Sequence, residues 1–235
     1  MRALFLQHDH VSPPGPVAEA FARQGFEIVE QLIVPADRYD SPNVTFDHPN
    51  PRDFDVLIPM GSPWGAWDDE CIGNWLQPEL AWLADAQAAD IPIFGICFGG
   101  QALARALGGS VAPGPKAEIG WHMIHSDDPD FIPHGPWFQW HYDRWTLPPG
   151  AVEIARSSVA SQAYVVGRSL GMQFHPEVVS STVEAWLHTD GLPALERDGQ
   201  DGPALIAMTK AFDEAASQRA HLLVDNFLTR VAKLV

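Results

Sequence analysis

Cysteine and basic side chains are the scarce components of this sequence of 235 residues. Its 2 cysteines are too few for the disulfide framework that holds small secreted proteins together. Its 14 lysines and arginines face 30 aspartates and glutamates, which gives a formal net charge of −16. This excess of negative charge argues against nucleic acid or an anionic membrane surface as the main partner.

Long apolar runs are also missing. No stretch approaches the roughly 20 consecutive apolar residues that a membrane-spanning helix needs. The opening MRALFLQHDH lacks the apolar centre and small-residue cleavage site of a signal peptide. Together with the few cysteines, these absences predict a reduced, cytoplasmic protein with no membrane contact. Apolar residues as a class are abundant, at 46% of the chain, enough for a substantial core.

The order of apolar runs and helical patterns indicates an α/β fold. Strands are predicted for the apolar runs at residues 2–8, 26–34, 55–60 and 91–96. Amphipathic patterns between them predict helices, and strands that alternate with helices form a parallel sheet. The run at 91–96 is apolar throughout, as expected of a strand covered on both faces.

The second half of the chain has a different pattern of predicted elements. Short strand candidates separated by proline and glycine turns continue to residue 178, and helices are predicted at 179–190 and from about 203 to 233. The sequence contains no repeat, low-complexity segment or linker. We therefore predict a single domain over 1–235, with a core of about 1–190 and a helical extension of about 191–235.

The sequence GICFGGQ, residues 95–101, joins the buried strand to a helical pattern. Glycines on both sides of Cys97 permit a sharp strand-to-helix turn that holds up a reactive side chain. A helix N-terminus also offers free N–H groups and a positive dipole end, which favour a thiolate and stabilise an oxyanion. Cys97 is thus a candidate nucleophile, and the alternative is a small buried filler, since free cysteine is commonly buried.

A histidine and a glutamate lie two residues apart in LGMQFHPEV, residues 170–178. On an extended segment, His175 and Glu177 point to the same side, and Pro176 between them needs no N–H partner. Such a pair can exchange a proton with a nucleophile while the carboxylate orients the imidazole. An exposed polar pair at a strand end is the alternative interpretation.

The third stretch, IPMGSPWG at residues 58–65, runs from a strand into a Gly/Ser/Pro turn. A turn of this kind can direct a backbone N–H at a developing negative charge. A simple strand-terminating turn beside tryptophans explains the pattern equally well.

In this order, the three stretches resemble the class I glutamine amidotransferases, the triad-type family that hydrolyses the side-chain amide of glutamine. GICFGGQ corresponds to the family's G-[IVL]-C-x-G-x-Q elbow, QFHPE to its second catalytic motif, and MGSP to its G-G-P oxyanion turn. The resemblance spans about residues 2–190 and is to a glutaminase domain like that of GMP synthase. It implies a three-layer, flavodoxin-like sandwich around a central, mostly parallel sheet.

By position, the resemblance implies that Cys97 is the nucleophile, His175 the general base and acid, and Glu177 the orienting carboxylate. The N–H groups of Ser62 and Phe98 would form the oxyanion hole. The implied reaction passes through a γ-glutamyl thioester, releases ammonia, and requires no metal or organic cofactor.

Substrate contacts follow from the same resemblance. Gly61 and Gln101 would help to bind glutamine, and WHYD at 140–143 resembles the family's S-H-G-D segment, which assigns His141 and Tyr142 to the amino-acid end of the substrate.

Three positions depart from the family's pattern. Tyr142 and Ser62 stand where glycine is usual, and Gly100 stands where histidine is frequent. If glycine adopts a positive φ at the position of Ser62, the serine would be strained there. These departures leave the strength of any glutaminase activity open.

Three functions remain open at this level. The first is a glutamine amidotransferase that passes ammonia to an unidentified acceptor or to a separate synthase subunit, because the sequence has no nucleotide-binding motif. The second is a hydrolase of γ-glutamyl compounds, with a pocket widened by tryptophans: Trp64, Trp67, Trp137, Trp140 and Trp145. The third is an inactive binding or regulatory module. No metal spacing is found among five further histidines: His8, His10, His122, His125 and His134.

Overall fold

The computed structural model describes all residues 1–235. Its ten strands are β1 (Arg2–Gln7), β2 (Glu27–Leu32), β3 (Val56–Pro59), β4 (Phe94–Ile96), β5 (Ser110–Met123), β6 (His125–Ser126), β7 (Pro136–Thr146), β8 (Val152–Arg156), β9 (Ser161–Val166) and β10 (Ser169–Met172). Its α-helices are α1 (Gly15–Arg23), α2 (Asp69–Ala88), α3 (Phe98–Ala106), α4 (Ser180–Trp186), α5 (Leu192–Arg197) and α6 (Gly202–Asn226).

The central sheet has the strand order β2-β1-β3-β4-β10-β9-β8-β6. Its two parts meet where Leu57 pairs with Ile93 and the Leu57 N–H donates to the Pro92 carbonyl at 3.0 Å. Five strands, β2, β1, β3, β4 and β10, run parallel to one another. Strands β9, β8 and β6 continue the sheet in antiparallel pairs. An antiparallel ribbon of β5 and β7 lies outside this sheet. The predicted α/β fold with a largely parallel sheet is confirmed.

Side chains of β1 show why helices cover both faces of the sheet. Ala3 and Phe5 join the core cluster that contains α1 and α6, whereas Leu4 and Leu6 join the cluster that contains α2 and α3. Successive side chains of a strand point to opposite faces, so a continuously apolar strand requires cover on both sides. The result is three layers, with helices above and below the sheet.

The predicted helix at 179–190 is helical from Ser180 onwards and continues beyond its predicted end to Arg197. Its hydrogen-bond pattern changes within this span: α4 ends at Trp186, a π-helical turn covers Leu187–Gly191, and α5 begins at Leu192. Pro193 accounts for the change, because proline has no N–H to donate in a helix interior and suits the first turn of a helix. A second π-helical turn, Phe227–Ala232, extends α6.

Two predicted strands are also shorter than expected. The run at 91–96 forms a strand only over Phe94–Ile96, since Pro92 has no N–H for the ladder. The strand before His175 ends at Met172, His175 forms an isolated antiparallel bridge with Phe138, and a turn follows at Pro176. No helix combines the length and the apolar composition that crossing a bilayer requires.

Candidate active site

Cys97 occupies the turn between β4 and α3 in a strained backbone conformation. Its φ of +48° and ψ of −107° lie in a region that residues other than glycine rarely adopt. Hydrogen bonds hold the turn from both sides: the Cys97 N–H donates to the Met172 carbonyl at 2.8 Å, and the Gly99 N–H donates to the Met60 carbonyl at 3.0 Å. The sharp turn predicted from GICFGGQ is present.

Gly100 fits the turn for a steric reason. A Cβ atom at this position would lie 2.7 Å from the Met172 carbonyl oxygen, so no larger residue can replace it without movement of β10. The Tyr164 hydroxyl donates to the Gly100 carbonyl at 2.7 Å and fills the neighbouring space. Glycine therefore fits at this position because the start of α3 passes directly against β10.

His175 and Glu177 form a buried hydrogen-bonded pair. The distance from His175 Nδ1 to Glu177 Oε1 is 2.7 Å, and the His175 N–H donates to the Phe138 carbonyl at 2.8 Å. His175 Nε2 is buried and has no hydrogen-bond partner. Burial acts to lower the pKa of His175, but the charges of Cys97 and Glu177 outweigh it and raise this pKa well above its ordinary value.

Two polar groups lie near the Cys97 thiol. Gln173 Nε2 donates to Cys97 Sγ at 3.5 Å, and Sγ lies 4.0 Å from the Trp140 carbonyl oxygen. Cys97 is only 5% exposed, yet its side chain lines a cavity. This combination suits a nucleophile that is reached by small molecules and shielded from bulk solvent.

Two backbone N–H groups near this cavity are free to bind an anion. Phe98 is the first residue of α3, so its N–H has no carbonyl partner within the helix. The Ser62 N–H donates to no protein group. Ser62 is also absent from the residues with positive φ, so serine in place of glycine introduces no backbone strain here. Its Oγ accepts the Trp64 N–H at 3.2 Å and stabilises the turn.

The model of the family named glutamine amidotransferase class-I matches residues 71–192. This segment is more than half of the chain and contains Cys97, His175 and Glu177. The chain belongs to the class I glutamine amidotransferases.

Curated relatives of this amidotransferase include GMP synthases. The glutamine-hydrolysing GMP synthase of Aeropyrum pernix is 30% identical over 213 residues, which cover 83% of this chain and 38% of that protein. The glutamine-hydrolysing GMP synthase subunit of Ignicoccus hospitalis is 34% identical over 139 residues, which cover 55% of this chain and 70% of that protein. The chain thus spans well under half of the Aeropyrum protein.

Solved structures of glutamine amidotransferases share the fold over nearly the whole chain. The protein from Thermotoga maritima has a TM-score of 0.81 and 25% identity, covering 97% of this chain and 98% of that one. The protein from Methylobacillus flagellatus has a TM-score of 0.80 and 28% identity, covering 97% and 94%.

Two adjoining cavities lie beside the turn of residues 61–64, which we call the Ser62 turn. The larger, which we call the thiol cavity, measures about 350 Å³. Its lining includes Cys97, Phe98, Gln101, Trp140, His141, Tyr142, Asp143 and Arg197. The smaller, which we call the imidazole cavity, measures about 70 Å³. Its lining includes His175, Asp9, Ser12, Tyr39, Gly61 and Trp186. Both cavities are lined by Ser62, Pro63, Trp140, Asp190 and Gly191.

The segment 186–197 covers both cavities. The Tyr39 hydroxyl donates to Asp190 Oδ2 at 2.7 Å, and the Trp186 indole N–H donates to Ser12 Oγ at 3.1 Å. A Cβ atom on Gly191 would lie 3.1 Å from the Trp140 ring, so the cover packs directly on the cavity wall. Sequence reasoning placed this segment at the edge of the core and missed its contact with the site.

The predicted substrate residues divide between the cavities. Gln101, His141 and Tyr142 line the thiol cavity, and Gly61 lines the imidazole cavity. Gln101 Nε2 donates to Gln173 Oε1 at 3.1 Å, which connects it to the group that holds the thiol.

The His141 ring is tied to the protein on both sides. Its Nε2 lies 3.0 Å from Glu118 Oε2 and its Nδ1 lies 3.1 Å from the Asp143 carbonyl oxygen. Both ring nitrogens therefore have protein partners, which leaves the backbone of the segment to meet a substrate.

His8, which sequence reasoning assigned to the surface or core, lies buried behind the Ser62 turn together with Glu79. Two sequence signals were available. His8 follows β1 directly at the carboxyl end of a parallel strand, where sites of α/β proteins gather. Glu79 lies four residues after Trp75 and four before Leu83, on the buried face of α2. No group of three or more His, Cys, Asp or Glu side chains has the arrangement of a metal site.

Proposed function

We propose that this protein hydrolyses the side-chain amide of L-glutamine, with Cys97 as nucleophile, His175 as proton carrier and Glu177 as the group that orients it. The observation that supports this most is the free Nε2 of buried His175, with the opposite ring nitrogen 2.7 Å from Glu177 Oε1. Glu177 accepts from Nδ1 and so leaves Nε2 as the atom that exchanges protons. The raised pKa of His175 favours an imidazolium beside a thiolate.

The reaction follows in two displacements. The Cys97 thiolate attacks the γ-carbonyl carbon, and the N–H groups of Ser62 and Phe98 bind the oxyanion. The His175 imidazolium gives its Nε2 proton to the leaving nitrogen, which departs as ammonia as the thioester forms. Water then attacks the thioester, gives a proton back to Nε2, and releases glutamate and the thiolate.

Charges of the thiol cavity suit a free amino acid. Arg197 can pair with the α-carboxylate of glutamine, and Asp143 or Asp190 can pair with its α-ammonium group. Burial raises the pKa of Asp143, which an ammonium partner would counteract. The backbone at Tyr142 would complete this end of the site.

We further propose that the released ammonia is used by a separate synthase subunit. This rests on the relatives, which are named GMP synthases and include a separate glutamine-hydrolysing subunit from Ignicoccus hospitalis. Both cysteines are unpaired, which fits a reducing, cytoplasmic setting.

A second candidate function, hydrolysis of γ-glutamyl compounds, is favoured by the imidazole cavity. This space of about 70 Å³ lies on the His175 side of the Ser62 turn, where the leaving nitrogen would be protonated. It offers room for a small substituent on that nitrogen. Asp9, Tyr39 and Trp186 would contact the substituent.

The decisive experiment supplies L-glutamine and a γ-glutamyl alkylamide in parallel, with ammonia and released amine measured separately. Cys97→Ser is expected to lower turnover at least about 10⁴-fold, whereas Cys71→Ser, at the cysteine outside both cavities, should keep wild-type rates. Turnover of neither substrate by the wild type would indicate an inactive regulatory module. Full activity of the Cys97→Ser variant would require another nucleophile.

A further inference from the structure

A buried ion pair lies behind the turn that carries the Ser62 N–H. We propose that His8 and Glu79 are positioning residues that hold the Gly61–Ser62 peptide in the orientation required for an oxyanion hole, an inference that rests on the proposed hydrolysis. No part of the pair needs to contact the substrate, because it acts through the peptide group.

Both nitrogens of His8 are bound. His8 Nδ1 lies 3.0 Å from the Gly61 carbonyl oxygen, and His8 Nε2 lies 3.1 Å and 3.2 Å from the two carboxylate oxygens of Glu79. His8 and Glu79 are both 0% exposed. The imidazole also packs against Trp75 and Phe98, with ring centroids 5.4 Å and 4.6 Å away. The ring therefore has one available position.

Because the peptide bond is planar, the contact between His8 and the Gly61 carbonyl also fixes the direction of the Ser62 N–H. The Gly61 carbonyl and the Ser62 N–H belong to one planar unit, and the chain contains no cis peptide bond. In a trans peptide these two groups point in opposite directions. Holding the carbonyl towards His8 thus directs the N–H away from it, to the side of the two cavities that Ser62 lines.

The opposite orientation of this peptide would be harmful to the reaction. It would direct a carbonyl oxygen, which carries partial negative charge, at the place where the substrate oxygen becomes negative. Gly61 also has no side chain to resist such a rotation, and a Cβ there would lie 3.1 Å from His175 Cε1. The contact of His8 with the Gly61 carbonyl opposes this rotation directly.

The positive charge of His8 strengthens its hydrogen bond to the Gly61 carbonyl. A carbonyl oxygen and a carboxylate both accept hydrogen bonds, so both ring nitrogens must donate, which makes His8 an imidazolium. Burial acts to lower its pKa, but the Glu79 charge, together with the hydrogen bonds to Glu79 and Gly61, leaves the pKa of His8 above its ordinary value. A charged donor binds a carbonyl more strongly than a neutral one, and Glu79 supplies the counter-charge that burial demands.

His8 also contacts the residue that carries the other predicted donor. Phe98 supplies the second N–H of the oxyanion hole, and its ring lies against the imidazole. One buried side chain thus supports both halves of the oxyanion hole, through a hydrogen bond on one side and a packed ring on the other.

Two double variants separate positioning from simple stability. In His8→Leu/Glu79→Met, apolar side chains of similar size replace the pair, an exchange that often preserves stability. The Gly61 carbonyl then has no donor, and kcat for glutamine should fall about 10- to 100-fold, less than the loss on deleting an oxyanion donor outright. In His8→Asn/Glu79→Gln, the introduced amide can still donate from the place of Nδ1, so kcat should stay within about fivefold of wild type.

Alkylation of Cys97 by iodoacetamide, followed by peptide mass mapping, provides the second measurement. This displacement forms no oxyanion, so its rate should remain within about twofold of wild type in both double variants, and KM should change less than about threefold. Unchanged kcat in His8→Leu/Glu79→Met would overturn the proposal. A parallel loss of kcat and alkylation would also overturn it, because the pair would then act on the nucleophile or the whole site.

If the apolar double variant does not fold, Glu79→Gln takes its place as the test. This substitution keeps the size of the side chain and removes the charge, and kcat should fall about 3- to 10-fold with alkylation unchanged. A kcat equal to wild type in Glu79→Gln would then overturn the role of the pair. If the wild-type protein does not turn over glutamine, both the proposed function and the role of the His8–Glu79 pair within it are overturned.

Discussion

His175 and His8 are both buried, and both contact a buried glutamate, but their remaining nitrogens differ. His175 contacts Glu177 through Nδ1 and leaves Nε2 without a partner, whereas His8 contacts Glu79 through Nε2 and binds the Gly61 carbonyl through Nδ1. A histidine with one free nitrogen can exchange a proton with a substrate. A histidine with two bound nitrogens cannot do so without breaking a hydrogen bond, and so it holds a structure in place.

A third pair, His141 and Glu118, resembles the His8 pair. Both nitrogens of His141 face acceptors, and Glu118 also accepts from Ser157 and Gln162. Burial acts to raise the pKa of Glu118, but these bonds to His141 and Ser157 outweigh it and lower this pKa. The pairing of histidine with glutamate therefore does not define a role by itself, whereas the state of the second nitrogen does.

The largest effect is expected where the free nitrogen is removed. His175→Gln should lower kcat at least about 10⁴-fold, because neither protonation of the leaving nitrogen nor activation of water has a proton carrier. It should also slow the alkylation of Cys97, since the thiolate loses its cationic partner. The His8→Leu/Glu79→Met variant should keep fast alkylation, so equal alkylation rates in the two variants would contradict the distinction.

The next largest effect concerns the orientation of His175. Glu177→Gln should lower kcat about 10²- to 10⁴-fold, because the amide no longer selects the tautomer or stabilises the imidazolium. Loss of the Glu177 charge should also lower the pKa of His175, so the alkaline limb of the kcat/KM profile should move to lower pH.

Glu184→Gln is the control for that measurement. Glu184 is a partly exposed residue of α4 that pairs with Lys210, and this substitution should leave the profile unchanged. Retained activity in Glu177→Gln would assign the orienting role to another group.

A smaller effect should separate the two pairs by the pH dependence of stability. The pKa of His8 is higher in the folded protein than its ordinary value. The ion pair with Glu79 therefore stabilises the fold fully below the ordinary histidine pKa, and this stabilisation is lost as the pH rises through the pKa of the folded state. The free energy of unfolding of the wild type should thus decline relative to His8→Leu/Glu79→Met between about pH 6 and about pH 9.

Urea denaturation of both proteins at the two pH values measures this difference. The titratable groups that act on His8 are Glu79 and Asp9, and His48 lies near enough for its own pKa to be influenced by His8 and Glu79. Taking the difference between the two proteins cancels the titration of His175, which both contain. Parallel stability curves would show that His8 is neutral in the fold.

The smallest effect is expected at the cover over the cavities. Tyr39→Phe removes the hydrogen bond to Asp190, and KM for glutamine should rise about two- to fivefold with little change in kcat. Asp190→Asn, which keeps an acceptor for the Tyr39 hydroxyl, should have a smaller effect unless Asp190 itself binds the ammonium group of the substrate. Steady-state kinetics of the two variants separates these roles.

Local features of this protein could be predicted from neighbouring residues alone. The elbow at Cys97 follows from glycines that permit close backbone approach, and the proximity of His175 to Glu177 follows from their spacing. The parallel sheet follows from alternating apolar and helical patterns. The assigned roles of these residues stay predictions until turnover is measured.

Other features depended on chain segments that are distant in sequence. Glu79 is 71 positions from His8, and Tyr39 is 151 positions from Asp190. Trp186 also reaches the site only through packing, because it contacts His175, Trp140 and Ser12.

The sequence by itself determined the alternation of strands and helices, the sharp turn at Cys97 and the spacing of His175 from Glu177, because each depends on residues close together in the chain. Only the tertiary structure decided which histidine has a free nitrogen. That property depends on whether a distant carbonyl or carboxylate reaches the ring, and helix packing sets such contacts to within a few tenths of an ångström.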